Sequence, residues 1–220
     1  KGVYTVDPNV VQSAKVVPRL SYAEMLELSR HGAKVLQFRA VQLGARYCVP
    51  IRVMHAHDNS GVSTIIQSRE INDLPYITGI GLDRNQVEIK ISSDKSQAYL
   101  ISELADILRS ADFSIDMYMT HQYDHVVDIK FTTHWEQFDL AWACVTGFTS
   151  TKPGLNASYN KNCAKVSLIG FGMSRPAPLS SSILRLLSEN HIETGLLSSF
   201  CYRLSLMVAA DNLERSAQIL

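Results

Sequence analysis

The sequence predicts an α+β chain, in which a short α/β segment is followed by a duplicated split β-α-β unit. Three observations carry this reading. A helix with a capping signal and one apolar face lies near the start of the chain. Strands and helices then follow in the order β-α-β-β-α, and that order appears twice, about 75 to 80 residues apart.

In the opening segment, Ser21 and Glu24 stand at capping-box spacing, with Met25, Leu26 and Leu28 as the apolar face behind them. Gly32 interrupts that helix, and a second helical stretch runs through Val35, Leu36, Val41 and Leu43 before Pro50. Residues 51–54 (IRVM) and 64–66 (TII) read as short strands around a Gly/Ser/Asn/Asp loop at 58–63. The polar run 67–75, ending at Pro75, is the linker candidate.

In the first copy, strands are expected at 76–80 and 87–92, and Ile101, Leu104, Ala105 and Leu108 share one face of a helix. Residues 114–119 and 126–132 alternate as strands, and Trp135, Phe138 and Trp142 have the spacing of a helix core. In the second copy, 164–170 is a strand and Leu179, Ile183, Leu186 and Leu187 mark a helix. Strands at 193–199 and 202–208 follow, with a last helix from Leu213. A final strand would complete each copy as a ferredoxin-like βαββαβ unit, four antiparallel strands with two helices on one face. The expected boundaries are 1–66 for the opening segment, 67–75 for the linker, and 76–150 and 151–220 for the two copies. Exchange of strands between the copies is left open.

Lys+Arg and Asp+Glu are each 21, so the formal charge is zero, and no concentrated basic face appears; neither nucleic acid nor an anionic membrane is an expected partner. The apolar run at 140–145 is far short of the ~20 residues of a membrane span. Cys48, Cys144, Cys163 and Cys201 are widely separated and read as small buried hydrophobes, which fits a reducing cytoplasm. His55 and His57 share a strand face beside Asp58, but no third ligand stands near them, so no metal site is expected. Both ends read as interior to a longer chain. Periodicity alone names no function, since this plan serves many.

Particular runs say more. GVYTVDPN at 2–9, SYAEMLELSRHGAKVLQFRAV at 21–41, VPIRV at 49–53 and STII at 63–66 resemble, in order, the end of the aspartokinase catalytic domain. ITGIGLDRNQVEI at 77–89 and SIDMYMTH at 114–121 are similar to the family's first ACT domain, and KVSLIGFGM at 165–173 to the opening of its second. The resemblance implies a partial amino-acid kinase segment followed by two tandem ACT domains. It implies aspartate kinase activity, in which the γ-phosphoryl of ATP, with Mg, passes to the side-chain carboxylate of L-aspartate as the first step of the aspartate-family amino-acid pathway.

The resemblance also implies nucleotide contacts from Tyr4, Thr5, Val6, Asp7, Pro8 and Lys34. The family's N-terminal lysine motif matches nothing here, so no catalytic residue is expected and this segment alone should be inactive. A lysine or threonine effector would be held between paired ACT units. The first such site would use Ser92, Ser93, Asp94 and Ala98, with Ser114, Ile115 and Asp116 opposite. The second would use Leu179, Ser180, Glu193 and Thr194, with Ser198 and Ser199. A homo-oligomer through the ACT domains is implied.

Several positions depart from the family pattern. Asn9 stands for Arg, Phe38 for Pro, DKSQ at 94–97 for DKPG, Thr120-His121 for Gln-Asn, Glu193 for Asn and Phe200 for Ser. Two alternatives therefore stay open: an aspartokinase with weakened or lost lysine/threonine feedback, and a non-catalytic regulatory or dimerisation subunit.

Overall fold

The computed structural model describes residues 2–33, 35–57, 61–69, 77–93, 98–110, 113–123, 126–174 and 176–220. In chain order the elements are β1 (Arg19–Ser21), α1 (Tyr22–Arg30), α2 (Phe38–Arg46), β2 (Ile51–Met54), β3 (Ser63–Gln67), β4 (Gly79–Asp83), β5 (Gln86–Ser93) and α3 (Ala98–Ser110). They continue with β6 (Tyr118–Tyr123), β7 (Val126–His134), α4 (Phe138–Ser150), β8 (Leu155–Asn160), β9 (Ala164–Ile169), α5 (Pro176–Glu189), β10 (Thr194–Phe200), β11 (Arg203–Val208) and α6 (Leu213–Ile219). Two compact units result: Lys1–Asp83 together with Lys165–Leu220, and Arg84–Ala164.

The first unit holds two sheets. In the smaller, β1 runs parallel to β3 and β2 antiparallel to it. Helix α1 begins where the capping box places it: the Ser21 hydroxyl accepts the Glu24 N–H at 3.2 Å, and the Glu24 carboxylate accepts the Ser21 N–H at 2.8 Å. Its apolar face, Met25 and Leu28, packs with Val3, Val17, Leu20, Val41, Ile66 and Ile169. Helix α2 starts only at Phe38, because the Ala33 N–H turns back to the Leu28 carbonyl and closes α1 first.

The larger sheet has the order β10-β11-β9-β4. The Gly170 N–H donates to the Tyr202 carbonyl, and the Ser167 and Ser205 hydroxyls bond at 2.8 Å, which aligns β9 antiparallel to β11. All six residues of β9 are buried, so it reads as a continuous run without alternation. Helix α5 packs on β10 and α6 on β4.

Strand β4 ends this sheet, and its free edge is covered by the opening segment. The Ile80 N–H donates to the Thr5 carbonyl at 2.6 Å. A Cβ on Gly81 would lie 2.1 Å from the His31 carbonyl oxygen, and one on Gly32, whose φ is +116°, would lie 2.2 Å from that of Leu82. These two glycines let the end of α1 meet β4 backbone to backbone. Nearby, the buried Glu24 carboxylate also accepts the Thr78 hydroxyl, so the helix cap is tied to the residue before β4.

The second unit runs β5-α3-β6-β7-α4-β8, with sheet order β6-β7-β5-β8 and antiparallel pairing throughout. Val87, Ile89 and Ile91 face Leu104 and Leu108 of α3 and Phe138, Ala141 and Val145 of α4, so both helices cover one face. The other face carries Lys90 directly opposite Lys130. Pairing of Lys90 with Asp128 at 2.9 Å and of Lys130 with Glu88 at 3.8 Å offsets that repulsion. Phe138 stacks on Trp142 against the core and both meet Tyr159 edge-on, while Tyr159 and Trp135 stay half exposed.

Three expectations are corrected. The strand expected at 76–80 to open the first copy is β4, Gly79–Asp83, and it pairs with β9 in the other sheet. The final strand expected to complete a copy, to which no residues were assigned, is β8 at Leu155–Asn160 in the second unit; LNASYN offers only Leu155 and Ala157 as inward apolar residues to mark it. The copies are therefore nested, with 84–164 inserted between β4 and β9, and not tandem. The strand expected at 114–119 starts at Tyr118, because Asp116 and Met117 are held beside Thr132 by its backbone and hydroxyl. Most of the expected linker, residues 70–75, lies outside the described residues.

Gly81→Ala is expected to lower stability by roughly 3 kcal/mol or more, since backbone cannot yield 1 Å at a buried contact. Gly147→Ala, whose Cβ meets nothing within 4 Å on helix α4, should raise it by about 0.5–1 kcal/mol. Urea denaturation of the two variants checks both signs. Burial pushes the Cys163 thiol up to about 11, and it lies 3.3 Å from the Asn160 carbonyl. It therefore stays protonated at every pH below that value, and a thiol reagent at pH 8 should label exposed Cys48 and Cys201 but not Cys163 until the chain unfolds.

Candidate functional site

The residues expected to line a nucleotide are held by a frame of backbone bonds. Tyr4 bridges Val16, the Thr5 N–H donates to the Lys15 carbonyl at 2.9 Å, and the Lys15 N–H donates to the Thr5 hydroxyl at 3.2 Å. The Thr64 hydroxyl accepts from the Val3 N–H and donates to the Val17 carbonyl, both at 2.7 Å. Val3 and Val6 point into the interior and anchor the run, while Tyr4 and Thr5 are half buried.

Asp7 and Pro8 are exposed. One Asp7 carboxylate oxygen accepts both the Asn9 N–H at 2.9 Å and the Asn9 amide at 3.0 Å, and the Asp7 carbonyl accepts from Val10 and Val11. This is an Asx-type turn. Asn9, which replaces the Arg of the family pattern, thus serves the turn with a neutral group. The structure brings Tyr4, Thr5, Val6, Asp7 and Pro8 into one short run against β4; Lys34 lies outside the described residues.

A charged cluster beside this run escaped the sequence reading. Glu27 and His31, one turn apart on α1, have Oε2 and Nε2 at 3.4 Å. From β11, Arg203 sets its Nε 3.7 Å from Glu27 Oε2, and its Nη1 contacts His31 Nε2 and stands 3.3 Å from Nδ1. The hydrogen bond from His31 holds the Glu27 carboxyl below its ordinary range, against the effect of burial, with Arg203 and Arg30 adding to the lowering. Arg203 lies 172 positions from His31, and only the fold brings them together. Among the described residues its buried Nε has no hydrogen-bond partner.

The candidate effector residues fall in two separated groups in each sheet. Ser92 and Ser93 end β5, and Ala98 begins α3; Asp94 lies outside the described residues. Ser114 and Asp116 sit instead beside Thr133 and Thr132, with Ile115 between them. Those threonines pair with Val87 and Glu88 at the other end of β5, roughly 15 Å away at the rise of a strand. Gln137 accepts both the Ser114 N–H and its hydroxyl.

In the other sheet, Leu179 and Ser180 lie early in α5 and are half buried. Ser198 and Ser199 pair with Ser205 and Leu204 near that end, whereas Glu193 and Thr194 enter β10 at the far end, where Thr194 pairs with Val208. Phe200 is 64% exposed, so its ring lies at the surface. Within one chain, neither sheet joins its two groups.

A groove of about 440 Å³ between α3 and α4, lined by Ile107, Cys144 and Phe148 and edged by Glu103, Asp106 and Lys152, contains none of these residues. Among the described residues no group of three or more His, Cys, Asp or Glu is placed to hold a metal, and His55 Nδ1 accepts the His57 N–H at 3.2 Å. Also among them, no helix is long and apolar enough to cross a membrane.

Comparison with known proteins agrees with this geometry. The amino acid kinase family model matches residues 1–55. An aspartate kinase of Stutzerimonas stutzeri is 28% identical over 221 residues, covering 100% of this chain and 54% of that protein. Escherichia coli aspartokinase III, solved with aspartate and ADP, superposes with a TM-score of 0.82 at 22% identity over 100% of this chain and 49% of that one. The same enzyme with lysine and aspartate gives 0.74 at 22% identity, over 99% and 48%. The regulatory subunit of the Thermus thermophilus aspartate kinase gives 0.61 at 16% identity, covering 66% of this chain and 96% of that subunit. The solved structures establish the shared fold. The chain spans about half the length of the curated relatives it matches and is similar to them from its first residue to its last.

Proposed function

We propose that this chain supplies part of the nucleotide wall and the amino-acid-sensing half of an aspartate kinase, which phosphorylates the side-chain carboxylate of L-aspartate with ATP in the cytoplasm. One observation carries the reading: the run Tyr4–Pro8 is bonded through Thr5 to the edge of a βαββ-type sheet within one compact unit. A catalytic-segment feature and a sensor sheet are thus one folded body. Free-standing regulatory subunits match 66% of this chain, which disfavours reading it as such a subunit.

In this reading the two nested sheets are ACT domains. Tyr4, Thr5, Asp7 and Pro8 are the nucleotide contacts of this run, Val6 contributes through its backbone because its side chain is buried, and Lys34 is the remaining expected contact. Magnesium is held by the upstream part of the protein, since the Asp7 carboxylate is engaged in its own turn and no acidic cluster stands near it among the described residues. The two groups of effector residues lie at opposite ends of each sheet, so each site needs a second sheet laid antiparallel beside the first. A homo-oligomer meets that need for the sheet of 84–164. Lysine or threonine is the effector class, with Glu193 and the exposed Phe200 weakening the second site.

The chain extended upstream to the length of its relatives should release ADP from ATP only when L-aspartate is present, at about 1–100 per second, the usual range for kinases. The present chain alone should show none. Absence of aspartate-dependent turnover in the extended protein sinks the assignment.

A further inference from the structure

We propose that Arg203 is a positioning residue: it carries the placement of the β10–β11 end to the α1 turn that backs the nucleotide run. This rests on the function proposed above and names a contact that would regulate it.

Arg203 opens β11 and pairs with Phe200, while Ser198 and Ser199 pair with the next residues, Ser205 and Leu204. The candidate effector strand is therefore Arg203's direct neighbour. In the β9–β11 alignment fixed by Gly170–Tyr202 and Ser167–Ser205, Arg203 stands beside Ile169, which pairs with Gly79. Gly79 in turn lies 3.1 Å, measured from an ideal Cβ, from the Thr5 carbonyl. One row across the sheet thus leads from the effector strand to the nucleotide run. Arg203 spans it a second way, with its side chain, to Glu27 and His31. The turn it reaches, His31–Gly32, is the one locked on β4.

The contact offers His31 two alternative partners. His31 Nε2 is within reach of both an acceptor, Glu27, and a donor, Arg203. One nitrogen cannot donate to the first and accept from the second at once. Among the described residues the buried Nε of Arg203 makes no hydrogen bond; it stands 3.7 Å from Glu27 Oε2, and a small shift toward Glu27 would turn that ion pair into one. Displacement of the start of β11 therefore changes which partner His31 takes and moves the end of α1. Among the described residues, the charged or titratable groups that bear on Glu27 are His31 at the end of α1, Arg203 of β11 and Arg30 of α1.

The test uses the extended protein with Arg203→Met, Arg203→Lys and Glu27→Gln. Arg203→Met should raise KM for ATP at least about fivefold while kcat changes less than twofold, and should speed amide exchange in residues 28–33 and 4–6. Arg203→Lys, which keeps the charge near Glu27 but loses the fork, should recover part of the KM effect. Glu27→Gln should give the same split should Arg203→Met fail to fold. Wild-type KM and exchange in the folded variants overturn the proposal, as does faster exchange spread evenly over the unit. If the wild-type protein turns over no aspartate, the functional assignment fails, and the exchange pattern still decides the Arg203 coupling.

Discussion

The close approach of two backbones, His31–Gly32 against Gly81–Leu82, is the constraint on which the first unit depends. Sheet edges expose unpaired amides and carbonyls, and β4 is such an edge. Here Thr5 supplies an acceptor to it, and the absent side chains at residues 32 and 81 let the α1 turn lie flush. Beyond that contact, segment 2–67 meets the sheet of β4, β9, β10 and β11 through Ile169 in the core, through Leu28 beside Gly79 and through Arg203 at Glu27 and His31. With it, displacement of one is displacement of the other.

Buried polar groups reinforce the joint and make it specific. Glu24 caps α1 and binds Thr78; Lys165, 2% exposed at its side chain, lies 3.8 Å from Asp83 across the β4–β9 pair. Desolvation makes such groups costly unless all are matched, so they tolerate few alternative registers. The Glu27–His31–Arg203 cluster differs, since one of its donors is left over.

The nesting of the two units has a related consequence. Because β4 precedes the insert and β9 follows it, the sheet that touches the nucleotide run cannot close until 84–164 has been made. The inserted unit, by contrast, contains all of its own strands and a core drawn from both helices and three adjacent strands. Its local connections make it the faster part to fold by the usual dependence on contact separation.

Much of this was legible in the residues themselves. The capping box at Ser21, the apolar faces of α1, α3 and α5, and the alternation of β5 and β7 follow from local chemistry, and long runs at 2–66 carry the resemblance to aspartokinases. The partnership of strands was not legible. Nothing in GIGLD says which sheet it joins, because pairing is decided by non-local hydrogen bonds that every strand offers alike. For the same reason nothing in LNASYN marks it as the strand that completes the inserted unit, and nothing local marks Arg203 as a partner of Glu27 and His31. Local sequence sets what each segment becomes; which segments meet depends on burial and edge coverage across the whole chain, and those exist only once it is folded.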